Sequence, residues 1–200
     1  IIFICVGTPN KKNTLSVDLS YVFKAAKEIS KFSKNKKIIV TKSTVPVGTG
    51  DQIEKNLKNL KNFTVISNPE FLREGDAIRD FRYPDRIVVG SNSQYAFKIM
   101  KNLYAPLVNK GAKFFTTNRR GAELIKYASN AFLATKITFI NEIANLCEKI
   151  NINVEDISLG MGYDVRIGSR FLRAGPAYGG SCFPKDTKGL VSIGEKEKIN

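Results

Sequence analysis

Histidine is absent from the 200 residues, and that absence alone removes several chemistries. A Ser-His-Asp triad, a Cys-His dyad within the chain and the usual metal sites all need an imidazole. Acid–base chemistry here must run on Glu, Asp, Lys, Cys, Tyr or water, and no metal is expected. Cysteine is scarce too, with three residues and no C-x-x-C pair. That argues against a disulfide framework or a zinc site and for a reducing cytoplasm. No apolar run reaches the roughly 18 residues of a membrane span, so no membrane partner is expected. The opening "IIFICVGTP" is short, has no basic leader and runs into a turn signal. It reads as neither a signal peptide nor an anchor. It also lacks Met, and a strand is already under way at residue 1, so the chain is expected to be a fragment.

Acidic residues are outnumbered, 18 against 32 Lys plus Arg, for a net charge of +14. The lysines are scattered, as in "KNLKNLKN", with no aromatic-studded basic stripe and no nucleic-acid motif. The excess reads as a solvated surface with local basic groups for an anionic ligand, not as a nucleic-acid interface. Composition is globular, at 42% hydrophobic and 25% charged. The length fits one domain, or one domain and part of another.

Residues 1–6 read as a buried strand ended by Gly7-Thr8-Pro9. Asp18 then caps a helix running to about Ser33, with Leu19, Val22, Phe23, Ala26 and Ile29 on one face. "IIVT", within 37–43, is a second strand, followed by "STVPVGTG" and a helix over 50–60. "FTVIS" (63–67), "RIVVG" (86–90) and "AKFFTT" (112–117) are further strands, with a helix over 93–107. Strands alternating with helices predict parallel βαβ units, hence an α/β fold with a parallel, Rossmann-like sheet. Ligands of such sheets lie beyond the carboxyl ends of the strands. Gly7-Thr8-Pro9, Ser43-Thr44-Val45-Pro46 and Asn68-Pro69-Glu70 are therefore expected along one edge, above one site. From Arg120, helical spacing runs through Leu124, Tyr127, Ala134, Ile140 and Cys147 to Ile150, about eight turns. Such a helix joins two domains or lines a dimer. "NINVEDI" opens another helix, and 162–186 is loop-rich. The expected domains are 1–118, the incomplete sheet domain, and 119–200, the long connecting helix with a helical central domain.

Cys5, in a buried strand, and Cys147, on the apolar helix face, read as small core residues. Cys182, in "GGSCFPKD", has other surroundings. Gly179 and Gly180 permit positive φ and close approach of a ligand, Pro184 stiffens the far side, Lys185 supplies a cation, and Asp186 orients or accepts a proton. Cys182 is either a reactive thiol or the filler of a tight turn. Lys126 and Asn130, four apart on a helix, point the same way; they stabilise an oxyanion or form an ordinary wet face. The segment "ELIKYASNAF" is otherwise apolar or small, which sets those two apart. Glu70 and Glu74, just past a strand's carboxyl end, either position water as a general base or supply charge to a helix N-terminus. The hydroxyls of Ser43 and Thr44 either cap a helix or touch a ligand. Arg166, Arg170 and Arg173 flank Phe171, as a pyrophosphate-and-base contact or as surface charge.

Five stretches together resemble the UDP-glucose/GDP-mannose dehydrogenase family: "VGTP" (6–9), "KSTVPVGTG" (42–50), "NPEFLREGDAIRDFRYPDRIVVG" (68–90), "ELIKYASNAFLATKITFINEIANLCEK" (123–149) and "RIGSRFLRAGPAYGGSCFPKD" (166–186). The resemblance covers nearly the whole chain. It implies NAD as cofactor and oxidation of a nucleotide sugar at carbon 6 through a thioester on Cys182. The expected substrate is UDP-glucose, with GDP-mannose or a UDP-N-acetylhexosamine as alternatives, and the product serves polysaccharide synthesis. Lys126 and Asn130 match the family's oxyanion and sugar-positioning pair, Asp186 its proton-transfer group, and Glu70 its carboxylate for thioester hydrolysis. Thr44 matches a hydroxyl near that water and the nicotinamide; Thr8, Glu74 and Cys182 fall at the cofactor. Phe71, Leu72, Phe171, Arg173, Tyr178 and Gly179 fall along the sugar-nucleotide pocket, and Arg166 matches an arginine reaching a neighbouring subunit, in a homodimer or larger homo-oligomer. The family's G-x-G-x-x-G turn does not occur in these residues, nor does its last α/β domain. The isolated polypeptide is therefore expected to bind little NAD, to turn nothing over and to aggregate; an inactive piece retaining the dimerisation helix is the remaining alternative.

Overall fold

Alternation along "IIV" puts Ile38 and Val40 on one face of a strand and Ile39 on the other, and all three are buried. A strand apolar on both faces needs cover on both. The computed structural model describes residues 1–12, 14–32, 35–57 and 63–199. Its strands are β1 (Ile2–Ile4), β2 (Lys37–Thr41), β3 (Phe63–Ser67), β4 (Arg86–Gly90) and β5 (Lys113–Thr117), side by side in that order. Its helices are α1 (Ser20–Phe32), α2 (Thr49–Asn56), α3 (Ala77–Arg82), α4 (Gln94–Leu103), α5 (Ala105–Val108), α6 (Arg119–Ile150), α7 (Val154–Gly162) and α8 (Phe183–Lys196). The chain divides into two compact units, Ile1–Lys126 and Tyr127–Asn200, with the boundary inside α6. Among the described residues no helix is long and apolar enough to cross a membrane.

In the first unit, Val22 and Ala26 of α1 and Ile53 of α2 pack with Ile4, Ile39 and Val65. On the opposite face, Ala96 and Met100 of α4 pack with Tyr104, Ile38, Val40, Ile66 and Val89. Pairing is parallel for β1–β2 (Ile2↔Ile39), β2–β3 (Lys37↔Phe63) and β4–β5 (Arg86↔Lys113). The expected all-parallel order fails once: β3 meets β4 antiparallel, at Ser67↔Gly90. The two strands touch at one register pair, Ser67 and Gly90, the last residue of each, and beyond it the Asn68 side chain, not a strand partner, donates to the Val88 carbonyl at 2.7 Å.

Three other expectations are corrected. The helix over 93–107 breaks at Tyr104, because Pro106 has no N–H to continue the ladder. Cys5 is exposed, since β1 is the sheet's edge and the face bearing Phe3 and Cys5 is uncovered. The loop-rich segment ends earlier than read, with α8 starting at Phe183. Two expected helix ends, Ser33 and residues 58–60, lie outside the described residues.

In the second unit, Tyr127, Ala134, Ile140 and Cys147 form the buried stripe of α6, while Phe132, Phe139 and Leu146 are exposed. Asn153 caps α7, its side chain accepting from the Glu155 N–H at 3.0 Å. Helix α8 approaches Tyr127 through Gly189, where a Cβ would lie 2.5 Å from the ring. Gly189→Ala gains about 1 kcal/mol of helix propensity, but Tyr127 is fully buried and does not yield. A net loss of about 1–3 kcal/mol is expected from overpacking, read as a lower thermal midpoint; an unchanged midpoint would show that α8 shifts freely.

Candidate active site

Parallel pairing brings the carboxyl ends of β1, β2 and β3 to one edge, and hydrogen bonds knit the three turns there. The Thr8 hydroxyl donates to the Thr44 carbonyl at 2.9 Å, and the Ser43 hydroxyl to the Val6 carbonyl at 2.6 Å. Lys42 Nζ reaches Asn68 Oδ1 at 3.4 Å and the Pro69 carbonyl at 3.5 Å. Asn68 is fully buried, donating to the Val88 carbonyl at 2.7 Å and accepting from the Tyr104 hydroxyl at 2.6 Å. The capping reading of Ser43 and Thr44 does not hold: Gly48 is the residue before α2, in the left-handed region at φ 91°.

Above this edge, Lys126 Nζ lies 3.1 Å from Glu70 Oε1, with the lysine side chain 4% exposed and the glutamate 26%. Glu70 Oε2 accepts the Leu72 N–H at 2.6 Å, so the carboxylate is held from both sides. The Phe71 ring lies under the Arg86 guanidinium at 4.0 Å and under Lys126 Nζ at 5.4 Å. Lys126 is therefore no solvated lysine. Glu70 lies ahead of the α3 start at Ala77 and is a partner of Lys126, not a charge on that helix.

Burial pulls the Lys42 ammonium down to about 8, with Glu70 opposing and Lys126 assisting. Folded Lys42 thus binds its proton less tightly than unfolded Lys42. Its contribution to stability is present above the unfolded value and lost as pH falls through about 8. Relative to Lys42→Met, the protein should gain on the order of 3 kcal/mol as pH rises from about 8 to 10.5. Tyr104, pushed up to about 12 by burial, acts in the opposite sense only above its ordinary value. Thermal melts of both proteins across that range check this; parallel curves would sink it.

One buried carboxylate was not singled out from the sequence. Glu123 of α6 is 2% exposed and accepts from Gly48 N–H at 2.6 Å, Gly50 N–H at 2.8 Å and the Ser67 hydroxyl at 2.8 Å. Burial pushes it up from the ordinary carboxylate range, against the pull of those three donors. Arg119, one turn earlier, bonds both Glu54 and Asp51 of α2. The available signal was a lone acid, Glu123, beside Lys126 in an apolar stretch.

In the second unit, Cys182 is the residue before α8 and is exposed. Its sulfur lies 3.7 Å from Ser181 Oγ, and its carbonyl accepts the Asp186 N–H at 2.9 Å. Asp186, in the first turn of α8, is 1% exposed. One carboxylate oxygen accepts from Asn130 Nδ2 at 2.6 Å, and the other pairs with Lys185. The expected cation beside the thiol is thus committed to Asp186. Of the two glycines ahead of it, Gly180 takes positive φ (77°) and Gly179 does not. Phe183, the residue after Cys182, packs edge-on against Phe171 (6.0 Å) and Tyr178 (6.4 Å), two of the residues expected along the pocket. Glu74, Arg170 and Arg173 are exposed, and Arg166 is exposed with its guanidinium on Asp164.

Two family models match the chain. Residues 1–108 match the NAD binding domain of the UDP-glucose/GDP-mannose dehydrogenase family, and residues 120–200 its central domain. A UDP-glucose 6-dehydrogenase of Rhizobium meliloti (strain 1021) is 55% identical over 201 residues, covering 98% of this chain and 46% of that protein. A solved UDP-glucose dehydrogenase from the archaeon Pyrobaculum islandicum superposes with a TM-score of 0.91 at 39% identity, covering 98% of this chain and 46% of that one. A UDP-D-ManNAc dehydrogenase from Pyrococcus horikoshii superposes at 0.83 with 28% identity, covering 95% and 45%. The chain thus spans just under half the length of these relatives. A mostly parallel sheet, a carboxylate–lysine pair at its edge and a cysteine at a helix start are what the two family domains carry here, and the chain belongs to the UDP-glucose/GDP-mannose dehydrogenase family.

Proposed function

We propose that the whole protein oxidises UDP-glucose at carbon 6 to UDP-glucuronate, with 1–118 the cofactor-binding part and 119–200 the part bearing the cysteine. NAD, when bound, accepts two hydrides in succession. The carboxyl edge of β1 and β2 suits its nicotinamide half, because Gly7 leaves open backbone there beside Thr8 and Thr44. Glu74 is assigned to the cofactor as well, and the Gly-rich pyrophosphate turn is not among these residues.

The observation that carries the reading is Cys182, exposed at the start of α8, with a buried Asp186 one turn inside. A sulfur at a helix N-terminus sits where negative charge is favoured. Once C6 is an aldehyde, the Cys182 sulfur adds to it and a C–S bond forms; loss of hydride from C6 leaves the thioester. Water then attacks, the C–S bond breaks, and the thiol and the carboxylate are released. Glu70 takes the proton of that water, with Thr44 orienting it. Lys126 and Asn130 stabilise negative charge on the C6 oxygen, and Asp186 holds Asn130 and exchanges protons. Phe71, Leu72, Phe171, Arg173, Tyr178 and Gly179 contact the sugar nucleotide, and Arg166 serves a neighbouring copy. The exposed apolar residues of α6, Phe132, Phe139 and Leu146, fit a homodimer or larger homo-oligomer. Three free cysteines fit the cytoplasm.

The test offers the whole protein NAD with UDP-glucose, GDP-mannose or a UDP-N-acetylhexosamine. Two NADH per UDP-glucose are expected. NADH with another sugar nucleotide alone would move the substrate and keep the chemistry; none with any of them would overturn the reading.

A further inference from the structure

One turn before Lys126 on the same helix lies a second buried charged side chain, Glu123. Glu123 and Lys126 are three apart on α6, so they share a face of the helix. The Glu123 carboxylate accepts three bonds of 2.6–2.8 Å, from the turn before α2, the first turn of α2 and the last residue of β3. The turn before α2 continues from Thr44, and β3 continues into Asn68 and Glu70. The fit is tight: a Cβ on Gly50 would lie 2.9 Å from Ser67 Oγ and 3.0 Å from Glu123 Oε1. Close packing of Gly90 against Ala122, where a Cβ would lie 2.6 Å from the alanine Cβ, seats the same turn of α6 on β4.

We propose that Glu123 is a positioning residue of the oxidation, clamping α6 to the turns that carry Thr44 and Glu70 and thereby setting where Lys126 presents its ammonium. This rests on the reading of Lys126 given above. A displacement of about 1 Å at a reacting group lowers rate by up to about a hundredfold, so Glu123 matters without touching substrate. In Glu123→Gln the amide keeps an acceptor for Gly50 and Ser67 but loses the acceptor for Gly48, where an N–H would face an N–H.

The experiment measures NADH formation at saturating UDP-glucose and NAD by the whole protein, as wild type, Glu123→Gln, Lys126→Met and the double variant. Glu123→Gln should lower kcat by about 30- to 100-fold with KM within about threefold, and the double variant should be no slower than Lys126→Met. Two residues acting as one unit are non-additive in this way. Multiplying losses, or a kcat for Glu123→Gln within about threefold of wild type, would overturn the proposal. A merely destabilising effect gives multiplying losses too, so melts of each variant accompany the rates. If Glu123→Gln does not fold, Ser67→Ala removes one bond of the clamp and should still slow kcat by several-fold; an unchanged rate there overturns the proposal. A wild type silent on every nucleotide sugar sinks the functional reading instead. The clamp is then judged from a crystal structure of Glu123→Gln, where an unmoved Lys126–Glu70 pair rejects it.

Discussion

Cys182→Ser should lower acid formation from UDP-glucose by at least about a thousandfold. The reason lies in what surrounds the residue. A serine hydroxyl is a poor nucleophile unless a base removes its proton, and the usual base is histidine. The chain has none. Asp186, bonded to Asn130 and Lys185, is a carboxylate, too weak a base to ionise an alcohol as an imidazole does in a triad. A thiol needs no such help, because thiolate is accessible near neutrality and strongly nucleophilic. Replacing one atom at an exposed position leaves the fold alone, so melts of the two proteins should coincide. The measurement is acid product and NADH per sugar by the whole protein. A serine variant that makes acid at the parental rate would reduce Cys182 to a turn residue and end the thioester reading. A variant that releases aldehyde after one NADH would place the loss at the second oxidation, where the sulfur is assigned.

Short-range information fixed much of this molecule. The five strands follow from short apolar runs bounded by Gly, Pro and Ser, and the spacing from Leu124 to Ile150 is long enough for only one reading. Local chain geometry was legible likewise: a turn at Cys182 after two glycines, and Asn130 one turn past Lys126 on a single helix. What escaped depends on tertiary contact. Nothing near Cys5 says that β1 is an edge strand, so its exposure was misread. The antiparallel step at Ser67 and Gly90 depends on where an 18-residue connection ends in space, not on its composition. Lys185 was expected beside the thiol, and only the packing of α6 against α8 reveals that Asp186, held by Asn130, claims it first. Glu123 serves donors 56 to 75 residues away, a separation that no local pattern encodes.

The Glu70–Lys126 pair should respond asymmetrically to mutation. Lys126→Met exchanges a 4% exposed ammonium for an apolar chain of similar length and leaves a carboxylate that is 26% exposed and still bonded to Leu72. Little stability is at stake, since removing a buried charge with a well-packed substitute is often neutral. Catalysis should nevertheless fall by about a hundred- to a thousandfold, the loss typical of deleting one oxyanion donor. Glu70→Gln does the reverse. It strands the buried Lys126 ammonium without its carboxylate, at about 1–3 kcal/mol once the partial exposure of Glu70 is allowed for. Its catalytic effect falls on one step. Both oxidations precede hydrolysis, so the variant should give a burst of about two NADH per site and then stall, with a sugar-nucleotide adduct on Cys182 visible by mass spectrometry. Rapid-mixing kinetics and melts of the two variants separate the cases. A Glu70→Gln protein without burst or adduct would move Glu70 from hydrolysis to an earlier step. A Lys126→Met protein that keeps full kcat would leave the buried ammonium with a purely structural role, and the clamp at Glu123 would have nothing to position.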